Sequence, residues 1–311
     1  MSAPVIAPSL GSANWPSANT GLCGLIGHPV RHSLSPRLHQ AAYRALGVDW
    51  AYLAFDVAPA SLAAAVEGAG ALGLVGLSVT MPHKDAAARL ATRRSPTVRR
   101  LGTANTLTFS GRQISAESTD GDGLIADLRT SVSFEPSGKV CAVIGAGGAA
   151  RAAVVALAEA GAREVLVVNR TPARAVQAAT LASGRGRVAK ADELQEAELI
   201  VNATPVGMLA DAGRASGADE VMVDPSRFGA GQLVVDMVYD PPVTDWLSQA
   251  AASGARTRNG LGMLVHQAAR QVEIWTGSQA PLTEMWRAVG RRPSPRSWHI
   301  AAAPPAPPTA P

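Results

Sequence analysis

A glycine-rich turn between an apolar strand and an alanine-rich helix constrains the fold of this 311-residue chain more than any other feature. The turn reads Gly145-x-Gly147-x-x-Ala150. The first glycine allows a tight turn, the second lets a pyrophosphate approach the backbone, and the alanine lets the helix pack closely on the strand. The helix start, with Gly148 and Ala149, offers N–H groups to phosphate oxygens. The pattern predicts a Rossmann-type dinucleotide-binding domain.

The residues that follow the next strand indicate which dinucleotide is bound. NAD enzymes place an acidic side chain there for the ribose 2′-hydroxyl, whereas NADP enzymes bring in an arginine. This chain has Asn169, Arg170, Thr171 and Arg174, with no carboxylate. Two guanidinium groups suit the bidentate geometry of a 2′-phosphate. The run favours NADP, although Asn169, Thr171 and Pro172 are also typical of a helix cap, and both roles are compatible.

Composition and charge narrow the class of protein. With 47% hydrophobic and 17% charged residues, the chain is typical of a soluble α/β protein. No apolar run reaches the length of a membrane span, and residues 1–20 lack the pattern of a secretory signal, so we expect a cytoplasmic protein. The net charge of +4 comes from scattered residues without an aromatic-rich basic face, which argues against a nucleic-acid partner.

Lysine is rare in this sequence, which draws attention to the few that remain. Only Lys84, Lys139 and Lys190 are lysines among the 28 basic residues. Arginine cannot release its proton at accessible pH, whereas lysine can. Proton transfer is therefore one task in which arginine cannot replace a lysine.

The order of strands and helices predicts an α/β protein with two domains. Strands alternate with helices before the glycine turn, which indicates a mostly parallel sheet. One early helix is predicted to begin with Ser35 as its N-cap and to end at Gly47. The predicted regions are a disordered segment 1–20, an N-terminal α/β domain 21–130, a Rossmann domain 131–259 with a mobile loop at 210–231, two helices in 260–290, and a disordered Pro/Ala-rich tail 291–311.

Four polar clusters lie at predicted strand ends, where α/β sheets bind ligands. Each cluster alone is also explained as a helix cap or a turn. The clusters are Ser33 with Ser35, Thr80 to Lys84, Asn105 with Thr106, and Ser118-Thr119-Asp120.

Together with the nucleotide-binding pattern, these clusters resemble one family, shikimate dehydrogenase, from Gly24 to about Gly290. The matching segments are Ile26-Gly-His-Pro-Val-Arg-His-Ser33-Leu-Ser35-Pro-Arg-Leu-His39, Gly76-Leu-Ser-Val-Thr80-Met-Pro-His-Lys84, Asn105-Thr106, Thr119-Asp120, Asn169-Arg-Thr171, Asn202-Ala-Thr-Pro-Val-Gly-Met208, Asp236-Met-Val-Tyr-Asp-Pro241 and Gly262-Met-Leu-Val-His-Gln267.

The resemblance implies that 21–130, joined by the helices in 260–290, is the substrate-binding domain and that the active site lies in the cleft between the two domains. It also implies a role for each matching residue. Ser33 and Ser35 would bind the substrate carboxylate with Tyr239 nearby, and the residues around the ring would be Thr80, Lys84, Asn105, Asp120 and Gln267. Thr204, Met237 and Gly260 would contact the cofactor with the residues of the glycine turn.

Lys84 is the candidate proton donor, because a ketone oxygen that becomes an alkoxide needs a positioned acid. Asp120 would orient Lys84. His83 is an alternative acid, although chain neighbours at a helix start usually point apart. The histidines at positions 28, 32 and 39 have no carboxylate or thiol among them in the sequence, and no metal is expected.

The sequence departs from the family at two positions, where Ser78 and Ser118 replace the usual Asn. The resemblance implies an NADP-dependent enzyme that reduces 3-dehydroshikimate to shikimate, as a monomer or a homodimer. A paralogue acting on quinate or an aminoshikimate-like ring is the alternative within the same class. A regulatory nucleotide-binding protein without turnover is the alternative from another class.

Overall fold

The computed structural model describes residues 16–208 and 223–290. Most of the segment 1–20, most of the loop 210–231 and the tail 291–311 therefore lie outside the described residues, as do the predictions made for them. In the described part of that loop, Pro225–Arg227 forms a single 3-10 turn.

The N-terminal unit is a six-stranded sheet with helices on it. Its strands are β1 (Gly21–Gly27), β2 (Trp50–Asp56), β3 (Gly76–Val79), β4 (Arg93–Arg94), β5 (Thr106–Ser110) and β6 (Gln113–Glu117). Its helices are α1 (Ser35–Leu46), α2 (Leu62–Ala71), α3 (Lys84–Leu90) and α4 (Pro96–Leu101), with a 3-10 turn at Pro59–Ser61. The strand order is β2-β1-β3-β5-β6-β4. Strands β1, β2 and β3 are parallel, whereas β5 is antiparallel to both β3 and β6.

For helix α1, the predicted N-cap is wrong and the predicted end is confirmed. Its N-cap residue is Leu34 rather than Ser35, and Ser35 already lies in the first turn. The Ser33 hydroxyl instead accepts a hydrogen bond from the Ser35 N–H at 3.2 Å. Ser33 thus supplies a partner for an N–H group of the first turn that has none within the helix. The helix ends at Gly47, which has a left-handed backbone with φ of 65°.

The C-terminal unit is a parallel six-stranded sheet. Its strands are β7 (Val140–Ile144), β8 (Glu164–Val168), β9 (Gly186–Val188), β10 (Leu199–Asn202), β11 (Leu233–Asp236) and β12 (Arg256–Asn259). Its helices are α6 (Gly148–Glu159), α7 (Pro172–Thr180) and α8 (Asp245–Ala252), with a 3-10 turn at Ala191–Glu196. The order β12-β11-β10-β7-β8-β9 is that of a doubly wound nucleotide-binding fold, which confirms the predicted fold class.

The chain passes between the two units twice. Helix α5 (Asp120–Val132) leads from the first sheet to the second, and α9 (Leu261–Thr276) returns after β12, followed by α10 (Leu282–Ala288). The buried face of α9 and α10 shares a hydrophobic core with α1, β1 and β2. The last two helices therefore pack on the N-terminal unit, although they follow the C-terminal sheet in the chain.

Within the described ranges no helix is both long enough and apolar enough to cross a membrane. Cys23 and Cys141 are buried and free, and burial raises the pKa of each thiol to about 12. Both thiols are therefore protonated at neutral pH and pack as small hydrophobic groups.

Candidate active site

The candidate site lies where the strand ends of the two sheets face each other. The glycine turn after β7 reaches the start of α3, since a methyl group on Gly148 would lie 3.2 Å from Lys84 Cδ and 3.4 Å from Thr103 Cγ2. A group bound on that turn therefore lies beside Lys84. The structure places the predicted cofactor turn and the predicted proton donor next to each other.

Lys84 and Asp120 form the central ion pair of the cleft. Lys84 Nζ lies 2.6 Å from Asp120 Oδ2, and the side chains are only 16% and 8% exposed. Lys84 begins α3 after the third strand, and Asp120 begins α5 after the sixth. Because the two strands end at the same edge of the sheet, residues 36 positions apart in the chain meet.

Asn105 holds Asp120 from the other side. Its buried Nδ2 lies 2.9 Å from Asp120 Oδ1 and 2.9 Å from Thr119 Oγ1. Its Oδ1 accepts hydrogen bonds from the Thr119 N–H at 2.9 Å and the Thr106 hydroxyl at 2.8 Å. Each side-chain atom of Asn105 thus has partners, and Asp120 is oriented by a fully satisfied amide.

Two further residues predicted to surround the ring lie in the same region. Gln267 on α9 places Oε1 3.3 Å from Asn105 Nδ2 and donates from Nε2 to the Leu264 carbonyl at 3.0 Å. Thr80 is half-buried directly after β3, and its N–H donates to the Ile26 carbonyl at 2.9 Å.

The residues predicted to bind a carboxylate also come together. Ser35 is buried and Ser33 is half-buried at the start of α1. Burial raises the pKa of the Tyr239 phenol, and the nearby Ser33 side chain and Leu34 backbone oppose this rise. Tyr239 follows β11 of the C-terminal unit, so this group of hydroxyls is assembled from both units.

Ser78 belongs to a buried hydrogen-bonded chain beneath the site. Its hydroxyl accepts from Tyr52 Oη at 2.6 Å and donates to Gln271 Oε1 at 2.7 Å. Gln271 Nε2 in turn donates to Thr106 Oγ1 at 3.0 Å and to the Asn105 carbonyl at 3.2 Å. Sequence reasoning missed Tyr52 and Gln271. A glutamine four residues after Gln267, on the same face of an apolar helix, was the available signal.

The histidines have structural partners. His83 is buried with Nε2 2.6 Å from the Val57 carbonyl, so its ring is directed at the backbone beyond β2 rather than at the cleft. His39 is buried and stacks on Tyr52 with ring centroids 4.0 Å apart, and burial lowers its pKa to about 4. His28 Nδ1 pairs with Asp56 at 2.5 Å. Among residues 16–208 and 223–290, no group of three or more His, Cys, Asp or Glu side chains forms a metal cluster.

The glycine turn has the geometry that a pyrophosphate requires. Gly145 has φ of 114°, which disfavours side chains, and a methyl group there would lie 3.3 Å from the Ala203 carbonyl oxygen. Gly147 is exposed, with open space where a Cβ would stand. In the described structure no side chain caps α6. The N–H groups at Gly148 and Ala149 are therefore available to phosphate oxygens.

The polar run after β8 lies at the same edge of the sheet. Arg170, Thr171 and Arg174 are exposed, and Asn169 Nδ2 donates to the Thr171 carbonyl at 3.0 Å. Thr171 occupies the N-cap position of α7, but within the described residues its side chain makes no capping bond. The helix-cap explanation therefore holds for the position of Thr171 and not for its hydroxyl.

The last three predicted cofactor residues follow β10, β11 and β12. Thr204 donates from its hydroxyl to Asn202 Oδ1 at 2.8 Å. A methyl group on Gly260 would lie 2.0 Å from the Met237 carbonyl oxygen, so only glycine fits at that point. Met237 and Gly260 are therefore in direct backbone contact at the carboxyl end of the sheet.

Comparison with known proteins agrees with this arrangement. Three family models match the chain: the shikimate dehydrogenase substrate binding domain over residues 25–107, shikimate / quinate 5-dehydrogenase over 129–224, and the shikimate 5′-dehydrogenase C-terminal domain over 260–289. The NADP(+) shikimate dehydrogenase of Methanopyrus kandleri is 43% identical over 88% of this chain and 96% of its own length. This chain belongs to the shikimate dehydrogenase family.

Solved structures of shikimate dehydrogenases have the same fold. A shikimate dehydrogenase in complex with NADP+ matches with a TM-score of 0.80 and 33% identity, over 88% of this chain and 96% of its own. The Thermus thermophilus shikimate 5-dehydrogenase in complex with NADP(H) and shikimate matches with a TM-score of 0.77 and 32% identity, over 87% and 99%. The resemblance drawn from the sequence motifs is confirmed.

Proposed function

We propose that this protein is an NADP-dependent shikimate dehydrogenase, which catalyses the reversible reduction of 3-dehydroshikimate to shikimate. The observation that carries this proposal is the Lys84–Asp120 pair beside the Gly148 turn, in a chain that spans nearly the full length of its NADP-dependent relatives. A protein that only binds a nucleotide needs no such pair, so the geometry favours an enzyme over a regulatory protein.

The residues at the carboxyl end of the second sheet fit NADP. The open N-terminus of α6 would hold the pyrophosphate, and Arg170 and Arg174 would bind the 2′-phosphate with Asn169 and Thr171 beside them. Thr204, Met237 and Gly260 would border the nicotinamide end, because β10, β11 and β12 lie on the opposite side of β7 from β8 and its arginines. When bound, NADPH supplies a hydride to the carbonyl carbon of the substrate.

Lys84 would donate the proton that the ketone oxygen needs as it becomes a hydroxyl, and would accept it in the reverse direction. Its hydrogen bond to Asp120 orients the ammonium group, and Asn105 keeps the Asp120 carboxylate in place. Lys84 is largely shielded from solvent, which strengthens the attraction between its ammonium group and a developing alkoxide.

The opposite end of the cleft would bind the substrate carboxylate. Ser33, Ser35 and Tyr239 offer three hydroxyl groups there. Gln267 lies 3.3 Å from Asn105 and Thr80 follows Val79, whose N–H donates to the Asn105 carbonyl, so these two side chains would contact the ring hydroxyls. This division separates the groups that hold the substrate from the pair that transfers the proton.

A panel of substrates and cofactors tests the proposal. We expect oxidation of NADPH with 3-dehydroshikimate at a kcat/KM at least about 100-fold above that with 3-dehydroquinate or an amino-analogue, because an added or exchanged polar group that is buried without a hydrogen-bond partner costs about 1–3 kcal/mol. Faster turnover of 3-dehydroquinate or of the amino-analogue would make the protein a paralogue. Absence of turnover with every combination would favour the regulatory role.

Ser33→Ala is expected to raise the KM for 3-dehydroshikimate about tenfold with kcat nearly unchanged. A hydrogen bond to a charged group contributes about 1.5 kcal/mol or more, and this one would be equal in the ground and transition states. Steady-state kinetics measure the effect. Ser115→Ala, a half-buried serine of β6, is the control and should leave both constants unchanged. A lower kcat at constant KM would instead place Ser33 in the chemical step.

A further inference from the structure

Two ion pairs connect α6 to the N-terminal unit, and they differ in where they attach. Arg151 Nη2 lies 2.5 Å from Asp85 Oδ1, and Asp85 is the residue after Lys84. Arg100 Nη1 lies 2.7 Å from Glu159 Oε1 at the far end of the same helix. Only the first pair reaches α3, which carries the proton donor.

Arg151 is fixed to the glycine turn and to two segments of the N-terminal unit. Its N–H donates to the Gly147 carbonyl at 2.9 Å, the first helical hydrogen bond after the turn. Its Nη1 donates to the Leu101 carbonyl at 2.9 Å, while Nη2 binds Asp85. The Arg151 side chain is 21% exposed, so this planar fork is partly shielded and geometrically defined.

We infer that Arg151 is a positioning residue for Lys84, acting through its ion pair with Asp85. The pair sets the distance between the glycine turn of α6 and the start of α3. Lysine has a flexible four-carbon stem, so the position of the ammonium group depends on where the helix start is held. The inference rests on the proposed function, because it assigns Arg151 to the same reaction.

The physical reason is the steep distance dependence of catalysis. A displacement of about 1 Å at the reacting groups costs up to about 100-fold in rate. Gly148 already lies against the Lys84 stem, so a small shift of α6 relative to α3 moves that stem directly. The Arg100–Glu159 pair is more exposed, at 30% and 60%, and among the described residues it makes no hydrogen bond or ion pair with α3.

The test compares single and double variants in single-turnover oxidation of NADPH at saturating 3-dehydroshikimate. We expect Asp85→Asn and Arg151→Gln each to lower the rate about tenfold, and the double variant to lower it no further, since both remove one interaction. The control variants Arg100→Gln and Glu159→Gln should stay within about twofold of the wild-type rate. Losses that multiply in the double variant, or equal losses in the control pair, would overturn the inference.

A second measurement separates positioning of Lys84 from general stability and from charge. Asp85 is half exposed, so Asp85→Asn should fold with an unchanged thermal midpoint even if Arg151→Gln does not. In a Lys84→Ala background, Asp85→Asn should not lower the residual rate. A further loss in that background would contradict the inference. A pH profile of Asp85→Asn that is shifted along the pH axis, with an unchanged maximal rate, would also contradict the inference.

The two proposals fail in different ways. If wild-type protein does not turn over 3-dehydroshikimate, the proposed function is wrong. If wild-type protein is active and Asp85→Asn is equally fast, only the positioning role of Arg151 is wrong.

Discussion

Lys84→Ala is expected to lower kcat by about 10²–10⁴-fold while the affinity for NADPH changes little, because a positioned acid or base contributes that range. The affinity should survive because the glycine turn and the arginines after β8 do not depend on the lysine. Steady-state kinetics and a fluorescence titration with NADPH measure the two effects. Lys139→Ala is the matched control, since Lys139 pairs with Glu198 at 2.8 Å on the surface of the C-terminal unit.

Lys84→Arg separates proton transfer from charge. Arginine keeps the positive charge and a hydrogen-bond donor but does not release a proton at accessible pH. We therefore expect Lys84→Arg to remain nearly as slow as Lys84→Ala, with folding verified by an unchanged thermal midpoint. Substantial recovery of the rate would mean that charge alone stabilises the developing alkoxide, and the acid would have to be sought elsewhere.

The Arg170→Ala/Arg174→Ala double variant is expected to weaken NADPH binding by roughly 2 kcal/mol or more, about 30-fold, because charge-assisted hydrogen bonds to the 2′-phosphate are lost. NADH lacks that phosphate, so its affinity should stay nearly constant. Titration of each variant with both cofactors measures the difference. Equal losses for NADPH and NADH would refute the assignment of these arginines.

The control for this double variant has the same change in net charge. Arg163→Ala/Arg227→Ala removes two exposed arginines from the same unit, away from the end of β8. It should leave the affinity for both cofactors unchanged. A loss of NADPH affinity in this control would indicate long-range attraction of NADPH by the positive charges of the C-terminal unit rather than direct contact with the phosphate.

Local chemistry explains which features were predictable from the sequence. The Gly145 turn was predictable because a left-handed φ and a close backbone approach both require glycine. The strand ends were predictable because apolar runs stop where polar residues begin. The short edge strands β4, β9 and β12 were missed, because two to four residues with exposed or polar side chains carry no clear periodicity.

Turns and strand ends thus depend on local backbone chemistry, and the resemblance of the sequence motifs to shikimate dehydrogenase was sufficient to nominate Lys84 and Asp120 as partners. Only the tertiary structure decided the 2.6 Å contact between them, since it depends on the order of β3, β5 and β6 in the sheet. The Ser78–Gln271 bond joins residues 193 positions apart, and the Arg151–Asp85 pair joins the two units. Such contacts depend on how sheets and helices pack in three dimensions. A local pattern of residues does not contain that information.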